Sequence, residues 1–143
     1  MPANNTFYNE VLTDHNMNPV HKHPIKDANM ELEGVNPSCG DDITLSLRVE
    51  DGKVVDGGYV GDGCAISQAS ADMMLDLIIG KPVEEAEHLA DIFHRMITGE
   101  VTDEEVDELE EAGILKDIRH MPARTKCAML GWRTMDEMLK ENT

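Results

Sequence analysis

The sequence predicts a small antiparallel β-sheet in the first half of the chain and several α-helices in the second half. The strand prediction rests on residues 43–50, where apolar and polar side chains alternate without interruption. Asp51-Gly52 follows directly and is a strong signal for a hairpin turn into a second strand over residues 53–60. The helix prediction rests on apolar residues that recur at helical spacing after Gly63 and again after Cys127.

The remaining elements follow from turn residues and apolar spacing. Residues 30–35 alternate as a short first strand, so the sheet has two or three strands. Glycine and proline mark most of the helix boundaries, since glycine commonly ends a helix and proline cannot continue one. The predicted helices span residues 6–15, 64–79, 82–98, an exposed acidic stretch over 102–113 and, after a connector over 114–121, the chain from Pro122 onward.

The composition restricts the classes of partner. The chain carries 12 Lys and Arg against 29 Asp and Glu, which gives a formal net charge of −17. Nucleic acids and anionic membranes select positive surfaces, so we expect neither as a partner. The sequence has no stretch of about 18 apolar residues for a membrane span, and its N-terminus lacks a basic and then apolar signal pattern. We therefore expect a cytoplasmic protein.

Three cysteines, at positions 39, 64 and 127, are the main candidates for chemistry. An odd number of cysteines in a reducing compartment argues against a disulfide scaffold and favours metal binding or thiol chemistry. Cys39 precedes the first strand of the hairpin and Cys64 follows the second, so antiparallel pairing brings them to one end. Cys127 begins a helix that could pack there. The alternative is three unrelated buried thiols, because free cysteine is often a small core residue.

A tetrahedral zinc ion takes four ligands and prefers thiolates, so three cysteines leave one position for an Asp, a His or water. Asp41 is the best candidate because it lies two residues after Cys39 on the same glycine-containing loop, where both side chains can point inward. Asp42 lies nearer the strand and is a better candidate for capping the turn. Three histidines stay open as ligands, without a local spacing that favours them: His15, His94 and His120.

Four motifs along the chain resemble those of the IscU/NifU-N family, in the same order. Each motif is weak alone, but the cysteine motifs are specific in combination, and the resemblance covers nearly the whole chain. The motifs are Asp14-His15 with Asn18-Pro19, Asn36 to Asp41, Gly61 to Ser67 with Ala69-Ser70, and Arg124 to Cys127.

Within that family the sequence is similar to the SufU type. Lys126 stands where IscU-type scaffolds have histidine, and an acidic segment around residues 99–121 resembles the SufU insertion. His120 to Arg124 stands in place of the Leu-Pro-Pro-Val-Lys motif of IscU, which removes the main reason to expect a dedicated chaperone partner. We therefore expect one IscU/SufU-like domain over residues 1–143, with an acidic insertion around 99–121.

The resemblance also implies a fold and a metal site. The implied fold is of the α+β class and SufE/NifU-like, with a small antiparallel sheet of about three strands packed against several α-helices. The implied site is a zinc ion held by Cys39, Asp41, Cys64 and Cys127.

The role that the resemblance implies is zinc-dependent sulfur transfer. SufU-like proteins accept a persulfide from a SufS-type, pyridoxal-phosphate-dependent cysteine desulfurase and pass it toward iron–sulfur cluster assembly. The desulfurase and downstream Suf assembly proteins are thus the expected partners, and the relay is sulfurtransferase-like rather than a free-standing enzyme. Two alternatives stay open, a scaffold on which a [2Fe–2S] cluster is assembled from iron and a structural zinc domain that only binds partners.

Cys39 is the predicted persulfide acceptor. Glycine and proline flank it, so we expect its loop to be the most mobile of the three cysteine positions. The resemblance implies that a histidine of the desulfurase replaces Cys39 on zinc, while Cys64, Cys127 and Asp41 remain as anchors. Arg124 could contact these ligands or stabilise an anionic sulfur; an ordinary surface arginine at a helix start is the alternative.

Overall fold

The first half of the chain forms a three-stranded antiparallel meander in the computed structural model, which describes residues 13–15, 17–37 and 40–141. The strands lie in the order β1 (Met30–Asn36), β2 (Asp41–Glu50) and β3 (Lys53–Asp62). The helix predicted over residues 6–15 falls mostly outside the described residues, and its described part, 13–15, is helical.

Several helices follow the sheet, which confirms the predicted α+β fold. They are α1 (Ala65–Ile78), α2 (Val83–Thr98), α3 (Asp103–Glu108), a run of 3₁₀ turns (Glu110–His120, the 3₁₀ run) and α4 (Pro122–Glu141). The three long helices begin within one residue of their predicted starts. None of the helices that the structure describes is long and apolar enough to cross a membrane.

One face of the sheet builds the core together with α1 and α4. Ile43, Leu45 and Leu47 on β2 are fully buried, as their alternation predicts. Gly131 of α4 lies so close to α1 that a Cβ atom on it would be 3.2 Å from the Cβ atom of Ala71. Small residues at this crossing let the two helices pack closely on each other.

A buried serine fixes the position of α4 against α1. Ser70 Oγ donates to the carbonyl oxygen of Ala128 at 2.7 Å and accepts from Trp132 Nε1 at 3.0 Å. The Trp132 ring in turn stacks on Phe93 of α2, with ring centroids 4.3 Å apart. These contacts hold the N-terminal half of α4, which carries Cys127, beside the start of α1.

In the acidic segment 99–121, the predicted exposed helix is present but ends earlier than predicted. α3 buries none of its side chains, as predicted, and its N-cap Thr102 forms the predicted capping box with Glu105. The prediction of a single helix over residues 102–113 is wrong at its end, because α3 stops at Glu108.

The 3₁₀ run is a packed part of the fold and not the connector predicted over residues 114–121. Its buried apolar side chains recur every three residues, which is the repeat of a 3₁₀ helix, so they share one side. This spacing does not fit 3.6 residues per turn, which is why the sequence pattern indicated a connector. The three positions are Ala112, Leu115 and Ile118.

Candidate metal centre

Two cysteines and one aspartate, the ligand cluster, meet at one end of the sheet. Asp41 begins β2, Cys64 immediately precedes α1, and Cys127 lies in the second turn of α4. One ligand atom from each residue lies within 4.8 Å of those of the other two. Three predicted site residues that are far apart in the sequence are therefore close enough to share one metal ion.

The hairpin of β2 and β3 brings Asp41 and Cys64 together. Asp42 pairs with Asp62, so the start of β2 lies beside the end of β3. Gly61 has a φ angle of +121°, and a Cβ atom on it would lie 2.2 Å from the carbonyl oxygen of Asp42, so only glycine fits there. The chain then turns into α1, with Cys64 as the N-cap residue. The start of β2 and the Cys64 turn thus lie at one end of the hairpin, as predicted, while Cys39 itself lies outside the described residues.

The Asp41 carboxylate is fully buried and accepts three hydrogen bonds. Its Oδ1 atom accepts from the backbone N–H of Cys64 at 2.7 Å and from Ser67 Oγ at 3.2 Å. Its Oδ2 atom accepts from Asn36 Nδ2 at 3.3 Å. All three donors are neutral, and none of the ion pairs formed by the described residues includes Asp41. A buried carboxylate in such surroundings favours a cation beside it.

Both sulfur atoms also lie beside groups of the protein. Cys64 Sγ accepts from the backbone N–H of Ser67 at 3.4 Å, as the N-cap of α1. Cys127 Sγ lies 3.8 Å from Asn36 Nδ2 and 4.0 Å from the carbonyl oxygen of Ala123. Cys127 is fully buried and Cys64 is half-buried. The two sulfurs are thus fixed by the helices that carry them.

The chemistry of this donor set fits zinc. Zinc in proteins binds thiolate, imidazole and carboxylate groups, and its structural sites use four of them. The ligand cluster supplies two sulfurs and one carboxylate. Cys39, the fourth predicted ligand, lies outside the described residues. One carboxylate and two thiolates together would carry three negative charges, and a divalent cation would offset two of them.

Within the described part of the chain, the other candidate ligands do not join the ligand cluster. Asp42 is exposed, because successive residues of β2 point to opposite faces of the sheet and Asp41 points inward. The His15 ring contacts Asp72 and Glu111 instead. The other two candidate ligands are exposed, His94 on α2 and His120 at the end of the 3₁₀ run. Arg124, which was predicted to contact the ligands or to stabilise an anionic sulfur, is exposed in the first turn of α4.

Asn36 and Ser67 belong to the site although neither is a predicted site residue. Asn36 ends β1 opposite Asp41 in the strand register, and its amide lies between Asp41 and Cys127. Ser67 is the third residue of α1 and contacts both Asp41 and the N-cap residue Cys64. A signal for both was present, since each lies inside one of the family motifs, at a strand end or three positions after a helix cap.

A second polar group, the histidine cluster, consists of the buried His15 and Asp72 and the exposed Glu111. His15 Nδ1 lies 2.6 Å from Asp72 Oδ2, and His15 Nε2 contacts Glu111 Oε1. Asp72 Oδ1 also accepts from the backbone N–H of His21 at 2.8 Å. Burial lowers the pKa of His15, but the hydrogen bonds with Asp72 and Glu111 outweigh burial and raise the pKa above its usual value. The positively charged form of the ring is therefore favoured.

The sequence and the fold place the chain in a known family. The family described as "NifU-like N terminal domain" matches residues 7–128, so the chain belongs to the IscU/NifU-N family. Its fold is similar to a crystal structure described as an iron–sulfur cluster assembly scaffold protein for the SUF system, from Fervidobacterium islandicum AW-1. The two structures agree with a TM-score of 0.86 and 35% sequence identity, over 91% of this chain and 94% of the other.

Within this family the chain is of the SufU type. A Bacillus subtilis protein named zinc-dependent sulfurtransferase SufU is 37% identical to it over 132 residues, which are 92% of this chain and 88% of that protein. A Thermotoga maritima protein named iron–sulfur cluster assembly scaffold protein IscU is 44% identical over 135 residues, 94% of each chain. The names of these two relatives correspond to two different roles.

Proposed function

We propose that this chain is a zinc-dependent sulfur-transfer protein, which accepts a persulfide from a SufS-type cysteine desulfurase and passes it toward iron–sulfur cluster assembly. The observation that carries the proposal is the approach of Asp41, Cys64 and Cys127 to within 4.8 Å of one another. The Bacillus subtilis relative, named a zinc-dependent sulfurtransferase, supports it.

Zinc would be held by Cys39, Asp41, Cys64 and Cys127. When bound, it keeps its thiol ligands deprotonated at neutral pH. Three of these ligands come from the start of β2, the cap of α1 and the second turn of α4. Cys39 comes from the connection between β1 and β2. Its release from the metal therefore requires no change in a strand or a helix.

Cys39 is the proposed persulfide acceptor. Cys127 is fully buried, and Cys64 is half-buried and caps α1, so both sulfurs are held by helices and are less free to move toward the persulfide of a partner. Cys39 lies two residues before Asp41, and two peptide units span at most about 7 Å between Cα atoms. The chain between the two residues is thus short enough for the Cys39 thiol to share a metal ion with Asp41.

The transfer is an exchange of sulfur between two cysteines. The Cys39 thiolate attacks the outer sulfur of the persulfide on the desulfurase. A new S–S bond forms on Cys39, the S–S bond of the donor breaks, and its electron pair leaves with the donor thiolate. One persulfide and one thiolate are consumed and one of each is produced, so no external oxidant or reductant is required.

Desulfurase turnover with and without this protein tests the transfer. Cys39→Ala should abolish the stimulation of a purified SufS-type desulfurase, and mass spectrometry of the wild type should find one added sulfur on the peptide that contains Cys39. Asp42→Asn is the matched control, since Asp42 is an exposed neighbour of the site, and it should stimulate like the wild type. Full stimulation by Cys39→Ala would rule out Cys39 as the acceptor.

A scaffold for a [2Fe–2S] cluster is the second candidate function. The Thermotoga maritima relative is named as a scaffold, and three cysteines with one aspartate could also ligate a cluster. Metal analysis separates the two functions. The transfer protein should carry about one zinc per chain and show no iron–sulfur absorption. Iron, acid-labile sulfide and visible absorption bands in the purified protein would favour the scaffold.

A further inference from the structure

Asn36 joins two of the described ligands through one amide group. Its Nδ2 atom lies 3.3 Å from Asp41 Oδ2 and 3.8 Å from Cys127 Sγ. An amide nitrogen carries two hydrogens, so it can donate to a carboxylate and to a thiolate at the same time. The Asn36 side chain is buried, and Asn36 pairs with Asp41 in the register of β1 and β2. The sheet therefore holds this amide between the two ligands.

The two oxygens of the Asp41 carboxylate have different partners. Oδ1 accepts from the backbone N–H of Cys64 and from the Ser67 hydroxyl. Oδ2 accepts one hydrogen bond from the described residues, that of Asn36, and an ionised carboxylate oxygen has room for a second partner. Oδ2 is therefore the oxygen that can bind a metal, and Asn36 is the group that orients it.

We propose that Asn36 is a positioning residue for the metal, which directs Asp41 Oδ2 and Cys127 Sγ toward one point. The proposal rests on the metal site of the proposed function and not on sulfur transfer. Hydrogen bonds from the protein fix the orientation of metal ligands, and losing such a partner typically lowers metal affinity by about 10- to 100-fold.

Ser67 should have a smaller part in positioning than Asn36. Its hydroxyl has one proton, which is shared between Asp41 Oδ1 at 3.2 Å and the carbonyl oxygen of Cys64 at 3.0 Å. The backbone N–H of Cys64 donates to Asp41 Oδ1 at 2.7 Å, and this hydrogen bond is present whether the Ser67 hydroxyl donates to Asp41 or to the carbonyl oxygen of Cys64. Loss of the Ser67 hydroxyl thus leaves the carboxylate with two of its three donors.

Positioning by the protein explains how one ligand can leave while the site persists. Asp41, Cys64 and Cys127 each lie beside groups that do not bind the metal, so their arrangement does not depend on a fourth ligand. Release of Cys39 would then leave three ligands in place. Asn36 contributes most to this arrangement because its side chain contacts the ligand groups of both Asp41 and Cys127, whereas the Ser67 hydroxyl contacts only that of Asp41.

Zinc affinity, measured by competition with a chromophoric chelator at one pH, tests the proposal. Asn36→Ala should bind zinc about 10- to 100-fold more weakly than the wild type. The zinc affinity of Ser67→Ala should lie between those of the wild type and Asn36→Ala. Asn29→Ala is the matched control, because the Asn29 side chain bonds the backbone of Val49 at the opposite end of the sheet. In the cobalt(II) proteins, Asn36→Ala should alter the d–d absorption bands, which report ligand geometry, and Asn29→Ala should not.

Thermal melting of the metal-free proteins separates positioning from folding. Weaker zinc binding and altered cobalt bands in a folded Asn36→Ala, with wild-type values in Asn29→Ala, would support the proposal. If Asn36→Ala does not fold, Asn36→Leu keeps most of the side-chain volume and serves for the same measurement. Wild-type zinc affinity in either folded variant would overturn the proposal. The turnover result for Cys39→Ala does not affect this outcome, so the two proposals can fail separately.

Discussion

The two polar clusters of this protein balance their charges in different ways. The ligand cluster surrounds its carboxylate with neutral donors, from Asn36, Ser67 and the backbone. The histidine cluster includes a group that can carry the opposite charge, because the hydrogen bonds with Asp72 and Glu111 raise the pKa of His15 against the effect of burial. A buried negative charge is costly without an opposite charge. We therefore expect the ligand cluster to depend on a metal ion and the histidine cluster to be independent of one.

This difference distinguishes a binding site from a structural contact. The histidine cluster links residues 13–15, α1 and the 3₁₀ run, and each of its two carboxylates contacts the His15 ring. The ligand cluster links β2, α1 and α4, and its Asp41 carboxylate forms no ion pair with the described residues. Removing the metal should thus disturb one cluster and leave the other intact, and substitutions in the histidine cluster should lower stability without changing metal affinity.

The largest effect is expected when zinc is removed. A metal that binds the folded chain alone stabilises it by mass action, by about 4 kcal/mol when free zinc is 1,000 times its Kd. The melting temperature should fall when a chelator removes zinc and recover when zinc is returned. Asp41→Asn keeps the shape of the side chain but removes its charge, and it should lose most of this dependence. A melting temperature that does not respond to zinc would contradict the expectation that the ligand cluster depends on a metal ion.

A smaller effect is expected from His15→Ala. The substitution leaves the buried Asp72 carboxylate without the His15 ring, and a lost hydrogen bond to a charged group costs about 2 kcal/mol. Urea unfolding of the zinc-loaded protein measures this loss. His23→Ala is the control, because His23 is an exposed residue of the loop before β1. Equal free energies of unfolding for the two variants would show that the histidine cluster does not stabilise the fold.

The smallest effect is a pH dependence of stability that comes from His15. A group whose pKa is raised on folding stabilises fully below its unfolded pKa, here 6.5, and this contribution is lost as the pH rises through the folded pKa. The free energy of unfolding of the wild type should therefore decline relative to His15→Gln above pH 6.5. Comparing the two proteins by urea unfolding cancels the titration of their common groups. A difference that stays constant with pH would mean that the His15 ring is not a cation.

Local signals explain why part of the ligand cluster could be predicted from the sequence. The alternation over residues 43–50 and the Asp51-Gly52 turn predict the hairpin, and a hairpin places the start of β2 beside the end of β3. The glycines before Cys64 predict the turn into α1. Asp41 and Cys64 follow from this backbone geometry.

The parts that could not be predicted depend on contacts between distant segments. Cys127 reaches the ligand cluster because α4 packs on α1 where Gly131 meets Ala71, and no local pattern determines that crossing. His15 meets Glu111 although they are 96 residues apart. The contacts of the Asn36 amide likewise depend on the final position of α4, because Cys127, one of its two partners, belongs to that helix.

Identifying the ligands of bound zinc is the most direct test of a centre in which three cysteines and Asp41 hold one zinc ion. X-ray absorption at the zinc edge of the zinc-loaded protein should show three sulfur ligands at about 2.3 Å and one oxygen ligand at about 2.0 Å. Cys39→Ala should lose one of the three sulfurs and keep the oxygen. A zinc ion with only oxygen and nitrogen ligands, or with a single sulfur, would contradict a centre built from three cysteines that are distant in the sequence.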